Sequence, residues 1–225
     1  MVARNRAVPA AALGYRCDGP ARFGLEVPRF APQWLGDARY AVLIPGASRP
    51  EKLWPEADWV AVGRSLAARG LRLAWLWGSP DELERVRRLA AACGDATDAS
   101  VPVASDAGAR HAEPVAPSGV RTTGADATSV IPPFLSVRDA AGLLAGARCV
   151  VGLDTGFTHL AGALGRPTVG IFCDFDATQC AVSGDGPCES FGGVGVVPPL
   201  AQIEAAALRM ASVADAAPLT DACER

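Results

Sequence analysis

The chain reads as an α/β protein built on a doubly wound parallel sheet. Two observations carry that reading. From residue 40 onward, short apolar runs of strand length alternate with helical patterns, which is the order parallel sheets require. Within this alternation, residues 149–172 form a strand–turn–helix–strand unit, with Asp154, Thr155 and Gly156 placed directly after its first strand. Ligands bind at the carboxyl ends of strands in such sheets, and the adjoining helix N-terminus offers unpaired N–H groups to an anion such as a phosphate.

In chain order, residues 1–15 suit a short helix, and residues 17–37 carry Gly, Pro and isolated aromatics without a sustained period. They suit an extended linker. Tyr40–Ile44 is the first convincing strand, followed by small residues and two cations, Arg49 and Lys52. Trp59, Val62, Gly63 and Leu66 recur at helical spacing over 54–69, and Gly70 closes that helix. A second strand is expected over 71–77. Pro80 opens a charged helix to about Cys93, with Asp81 and Glu82 favourably placed in its first turn.

Residues 94–128 are rich in Ala, Gly, Ser, Thr, Asp and Pro and lack periodicity, which suits a disordered insertion. Order resumes with a strand at 130–131. Ser136 caps a helix through Ala145, and residues 149–153 are apolar enough for a strand buried on both faces. A helix over 157–164 ends at Gly165 and is followed by a strand over 168–172. After a Gly-rich stretch, a last strand is expected over 193–197 and a helix over 200–214, with a loose tail over 215–225.

Composition narrows the function. A net charge of −3 without a basic stripe argues against nucleic acid as a partner. No apolar run approaches the roughly 20 residues that span a bilayer. The apolar part of the N-terminus is short and interrupted by Pro9, so it does not read as a signal peptide. Seven cysteines without a CxxC pattern, Cys173, Cys180 and Cys188 among them, suit a reducing compartment better than a metal site.

Polar clusters fall at predicted strand ends: Ser48 with Lys52, Glu82, Leu135 with Ser136, and Asp154 to His159. Each has a plain alternative. Lys52 either neutralises a phosphate or is a solvated lysine. Glu82 either accepts ribose hydroxyls or serves the dipole of its helix. Asp154 follows a buried strand, where a carboxylate is costly unless hydrogen-bonded, though a helix cap would also satisfy it. His159 either faces the crevice or packs in the core. Asp-Thr-Gly also opens aspartic-protease half-sites, but there β-structure follows, and here a helix does. Neither GxGxxG nor a Walker-type loop is present.

Three segments together, KLWPEADW (52–59), WGSPDE (77–82) and DTGFTHLA (154–161), resemble the C-terminal half of bacterial ADP-heptose:lipopolysaccharide heptosyltransferases. Within that family (glycosyltransferase family 9) the motifs are most similar to the heptosyltransferase I type. The resemblance spans residues 1–214, with 94–128 as a departure. It implies two Rossmann-like domains facing a cleft, the GT-B arrangement, of which this chain matches the donor-binding one.

By the same resemblance, Ser48 and Lys52 would contact the diphosphate or heptose, Glu82 the ribose, and Leu135 the adenine. Asp154 would bind heptose hydroxyls, the Thr155 and Gly156 backbone would meet the phosphates, and His159 would lie beside the sugar. The family often has Thr-Thr where this chain has Ala47-Ser48, which removes one hydroxyl contact.

The organisation expected is a remnant or linker over 1–37, a donor-binding domain over 38–214 and a loose tail. The expected partner is ADP-heptose, with lipid A–Kdo as acceptor only if an N-terminal half supplies the catalytic base. No metal or cofactor is implied. The expected location is cytoplasmic, at the inner face of the inner membrane. The competing reading is a non-catalytic nucleotide-sugar-binding module or a truncated gene product.

Overall fold

The computed structural model describes residues 2–19, 21–28, 30, 32–100, 120–121 and 127–216. Among the described residues, eight parallel strands form one sheet in the order β4-β3-β5-β2-β1-β6-β7-β8. They are β1 (Tyr40–Ile44), β2 (Arg72–Trp75), β3 (Ala96–Asp98), β4 (Val120–Arg121), β5 (Ser129–Ile131), β6 (Cys149–Leu153), β7 (Thr168–Phe172) and β8 (Cys188–Gly192). The helices are α1 (Val2–Leu13), α2 (Glu56–Ala67), α3 (Pro80–Cys93), α4 (Val137–Gly146), α5 (Gly156–Ala163), α6 (Ala177–Cys180) and α7 (Leu200–Ala216).

Strand alternation sends side chains to two separate cores. Ala41 and Leu43 of β1 face one core with Trp59 and Leu66 of α2, Leu89 of α3 and Ile203 of α7. Tyr40, Val42 and Ile44 face the other, with Leu143 and Leu144 of α4 and Ala161 of α5. Both faces of the sheet are therefore covered, which is why the strands are continuous apolar runs. Trp54, Trp59 and Trp75 are fully buried. Trp54 also donates to the Pro198 carbonyl at 2.9 Å, tying the β1–α2 connection to the start of α7.

The doubly wound expectation holds, and the strand order locates its switch point. From β1 the sheet grows through β2 and β5 on one side and through β6 and β7 on the other. The crevice at a switch point lies between the carboxyl ends of its two strands, here β1 and β6.

Three local expectations are corrected. The irregular segment expected over 94–128 contains β3 and β4, with Ala96 paired to both Val120 and Ser129. These strands are two or three residues long and include Thr97 and Asp98, so no apolar run announces them. Asp98 is buried there because Arg87 Nε and the Ser100 amide satisfy its carboxylate. The remainder, 101–119 and 122–126 including His111, lies outside the described residues.

The last strand is 188–192 rather than 193–197, which instead turns back through a Gly193–Val196 bridge. Helix α6 falls in a stretch expected to be irregular, where Asp176 caps it by accepting from the Thr178 amide at 2.8 Å.

At the other end, α7 continues to Ala216, and 217–225 lie outside the described residues. The expected linker 1–37 contains α1 and returns to the domain. Leu35 is buried in the second core, and the Phe23 and Gly24 amides donate to the Asp185 carboxylate. Among the described residues, no helix is long and apolar enough to cross a membrane.

Candidate functional site

A cleft of about 400 Å³ opens at the β1–β6 switch point. Its floor and walls include Gly46 to Ser48 after β1, Trp77 and Gly78 after β2, Glu82 of α3, and Asp154 to Phe157 after β6. Segments from three strand ends, those of β1, β2 and β6, therefore converge, as the sheet order requires.

The Glu82 end is built locally. Ser79 caps α3 by accepting from the Glu82 amide at 3.2 Å, while the Glu82 carboxylate accepts from the Gly78 amide at 2.7 Å. The side chain is thereby turned back over the start of its helix, as in a capping box. It lies so close to Gly46 that a Cβ there would stand 2.4 Å from the Glu82 carboxyl carbon. Gly46 is thus the residue that lets the carboxylate enter the cleft. Beside it, Trp77 donates to the Pro132 carbonyl at 2.8 Å and meets Phe134 edge to face. Phe134 is 68% exposed. Leu135 is not part of the cleft lining and packs at the margin of the second core.

The opposite end is built from distant parts of the chain. Lys52 Nζ donates to Asp154 Oδ2 at 2.8 Å, and His159 Nε2 lies 3.3 Å from Asp154 Oδ1. An ionised carboxylate only accepts, so the latter bond requires the proton on Nε2. Burial pushes the Asp154 carboxyl up, but hydrogen bonds and charges from Lys52 and His159 outweigh it and leave the net value lowered. The side chains of Lys52 and Asp154 are only 18% and 17% exposed, so the pair is partly withdrawn from solvent.

Asp154 is not the cap of α5; Thr155 is, without a side-chain cap bond. Thr158 instead donates to the Leu153 carbonyl at 2.6 Å and approaches Thr155 Oγ1 at 3.2 Å, fixing the turn from β6 into α5. This packing needs Gly152, where a Cβ would stand 2.2 Å from Thr158 Oγ1.

The structure thus brings Ser48, Glu82, Asp154, Thr155 and Gly156 into one cleft, with Lys52 and His159 joined to it through Asp154. Gly46, Trp77 and Phe157 line it as well, unforeseen as site residues. Their positions immediately after a strand, or in the first turn of a helix after one, are the sequence signal that marks them.

Comparison with known proteins gives the arrangement a family. The model for glycosyltransferase family 9 (heptosyltransferase) matches residues 1–185. Lipopolysaccharide heptosyltransferase 1 of Escherichia coli K12 is 30% identical over 174 residues, which are 76% of this chain and 44% of that protein. Its Pseudomonas aeruginosa counterpart is 32% identical over 172 residues, 76% of this chain and 39% of that protein. The chain therefore spans less than half the length of these curated relatives.

Among solved structures, E. coli heptosyltransferase WaaC with ADP superposes with a TM-score of 0.63 at 25% identity, covering 95% of this chain and 56% of that one. The same enzyme with ADP-2-deoxy-2-fluoro heptose gives 0.58 at 27% identity, covering 96% and 56%. The sequence match and the shared fold lead to one conclusion: this chain belongs to glycosyltransferase family 9, the heptosyltransferase family.

Proposed function

We propose that this domain binds ADP-heptose and forms the donor side of a heptosyl transfer in lipopolysaccharide inner-core assembly. The observation that carries the reading is the shared cleft. A carboxylate suited to ribose hydroxyls and a Lys–Asp–His cluster suited to a diphosphate sugar face one crevice at the switch point. WaaC, solved with ADP and with a fluorinated ADP-heptose, lends the ligand class.

In this reading the adenosine lies at the Trp77–Glu82 end, with the ribose on Glu82. Leu135 lies outside the cleft lining, and its neighbour in sequence, Phe134, meets Trp77 at that end. The diphosphate sits between Ser48 and the Thr155–Gly156 backbone, where Lys52 and the positive end of α5 neutralise it. Asp154 accepts hydrogen bonds from heptose hydroxyls, and His159 steadies it.

During transfer an acceptor hydroxyl attacks the anomeric carbon. The bond from that carbon to the diphosphate oxygen breaks, ADP departs with the electron pair, and the configuration inverts. Charge grows on the departing diphosphate, so the Lys52 ammonium is worth more in the transition state than in the ground state. The base that receives the acceptor proton, and the surface that holds lipid A–Kdo, belong to the facing domain of the GT-B pair. Such an enzyme works on the cytoplasmic side of the inner membrane.

Thermal unfolding with ADP, ADP-heptose, UDP and GDP tests the donor site. A ligand that binds only the native state adds about 2.7 kcal/mol at a hundredfold excess over its Kd. ADP-heptose and ADP are expected to raise the melting temperature while UDP and GDP do not. A cooperative transition that none of the four ligands moves would contradict donor binding.

A further inference from the structure

The β1–α2 loop carries a second cation that the donor reading leaves unused. Arg49 Nη2 lies 2.6 Å from Asp174 Oδ2, with the two side chains 55% and 26% exposed. Asp174 follows β7 by two residues, and β7 is separated from β1 by β6 alone. Two ion pairs therefore leave one loop. Lys52 reaches the end of β6 at Asp154, and Arg49 reaches one strand further, to the end of β7.

The fold does not account for this second pair. Exposed ion pairs contribute about 0–1 kcal/mol to stability, so Arg49–Asp174 adds little. Helix α6 does not depend on Asp174 either, since Asp176 supplies its cap.

Position relative to the cleft gives the pair a use. Strands lie about 4.8 Å apart, so the span from the end of β2 (Trp77, Glu82) to the end of β7 is about 14 Å across three spacings. A nucleotide sugar laid across the strand ends, nucleoside over β2 and diphosphate between β1 and β6, brings its glycosyl group toward β7. Asp174 and Arg49 form a charged pair at that strand end, one strand beyond Asp154 and just outside the cleft lining. A carboxylate held by a guanidinium offers acceptors and donors together, the combination that vicinal hydroxyls satisfy.

We propose that Asp174, held by Arg49, forms the far wall of the glycosyl subsite and determines how strongly the site prefers a nucleotide sugar over the bare nucleotide. The inference rests on the donor reading above.

Titration calorimetry with ADP and ADP-heptose on the wild-type chain, Asp174→Asn, Asp174→Ala and Arg49→Gln tests it. In Asp174→Ala, ADP affinity is expected to stay within about twofold while ADP-heptose weakens about tenfold, the worth of a charged hydrogen bond. Asp174→Asn and Arg49→Gln should show smaller losses confined to the sugar ligand. An unchanged preference in Asp174→Ala would overturn the proposal. So would a parallel loss for both ligands in Asp174→Asn, which would make Asp174 a loop support. A wild-type chain that binds neither ligand would refute the donor reading itself, and this inference with it.

Discussion

The two ends of the cleft are held by contacts of opposite range. At the Glu82 end, the carboxylate and its amide are fixed by Gly78 and Ser79, four and three residues away. At the other end, Lys52 and Asp154 are 102 residues apart in sequence and meet only because β1 and β6 are neighbours. The first end can form as soon as α3 does; the second exists only when the sheet is complete. Perturbing Glu82 should therefore damage binding and leave folding largely intact, whereas perturbing the charged end should affect both.

The largest expected effect is at Lys52. Lys52→Ala leaves Asp154 partly buried without its cation and, on the proposed donor reading, removes the counter-ion of the diphosphate. ADP and ADP-heptose should both weaken by roughly ten- to hundredfold, and the chain should lose about 1–3 kcal/mol of stability. Calorimetry and denaturant unfolding read the two losses separately. A loss of affinity without any loss of stability would show that the charged end is not coupled to the fold.

Gly46→Ala sharpens the same contrast from the opposite side. Its Cβ would displace the Glu82 carboxylate, the movable end of a side chain, so stability should fall by less than about 1 kcal/mol. ADP affinity should fall about tenfold, as for one lost charged hydrogen bond. Undiminished ADP binding would remove Glu82 from the site.

These two residues also show what the sequence could and could not reveal. Strand and helix alternation is local and periodic, so the α/β class and most elements were legible from β1 onward. Ser136 as a helix cap was legible, because a cap and its helix are adjacent in sequence, whereas Ser79, which reads as part of a turn, proves to be a cap as well. β3 and β4 were not, since two- and three-residue strands with polar members satisfy themselves through distant partners such as Arg87. The pairing of Lys52 with Asp154 was equally hidden. Both residues stood out as candidates, but which strand ends are neighbours is set by sheet order, and no local pattern encodes that. Arg49–Asp174 escaped for the same reason.

Ser79→Ala is a smaller perturbation of the local end. Loss of an N-cap costs about 1 kcal/mol, read as a lower melting temperature. ADP affinity should fall only modestly, because the Gly78 amide still holds the Glu82 carboxylate.

The smallest effect is a pH dependence at the long-range end. The lowered Asp154 value means its carboxylate contributes stability that is fully present above the unfolded value of about 3.9 and is lost as pH falls through the folded value. The stability gap between wild type and Asp154→Asn should therefore close as pH falls below about 4.

The central claim is that the Asp154 end reads the sugar while the Glu82 end reads the nucleoside. Calorimetric titration of Asp154→Ala with ADP-heptose and with ADP tests it most directly. The account predicts that ADP-heptose binding weakens more than about tenfold while ADP binding falls by less than about threefold. Equal losses for the two ligands would contradict it.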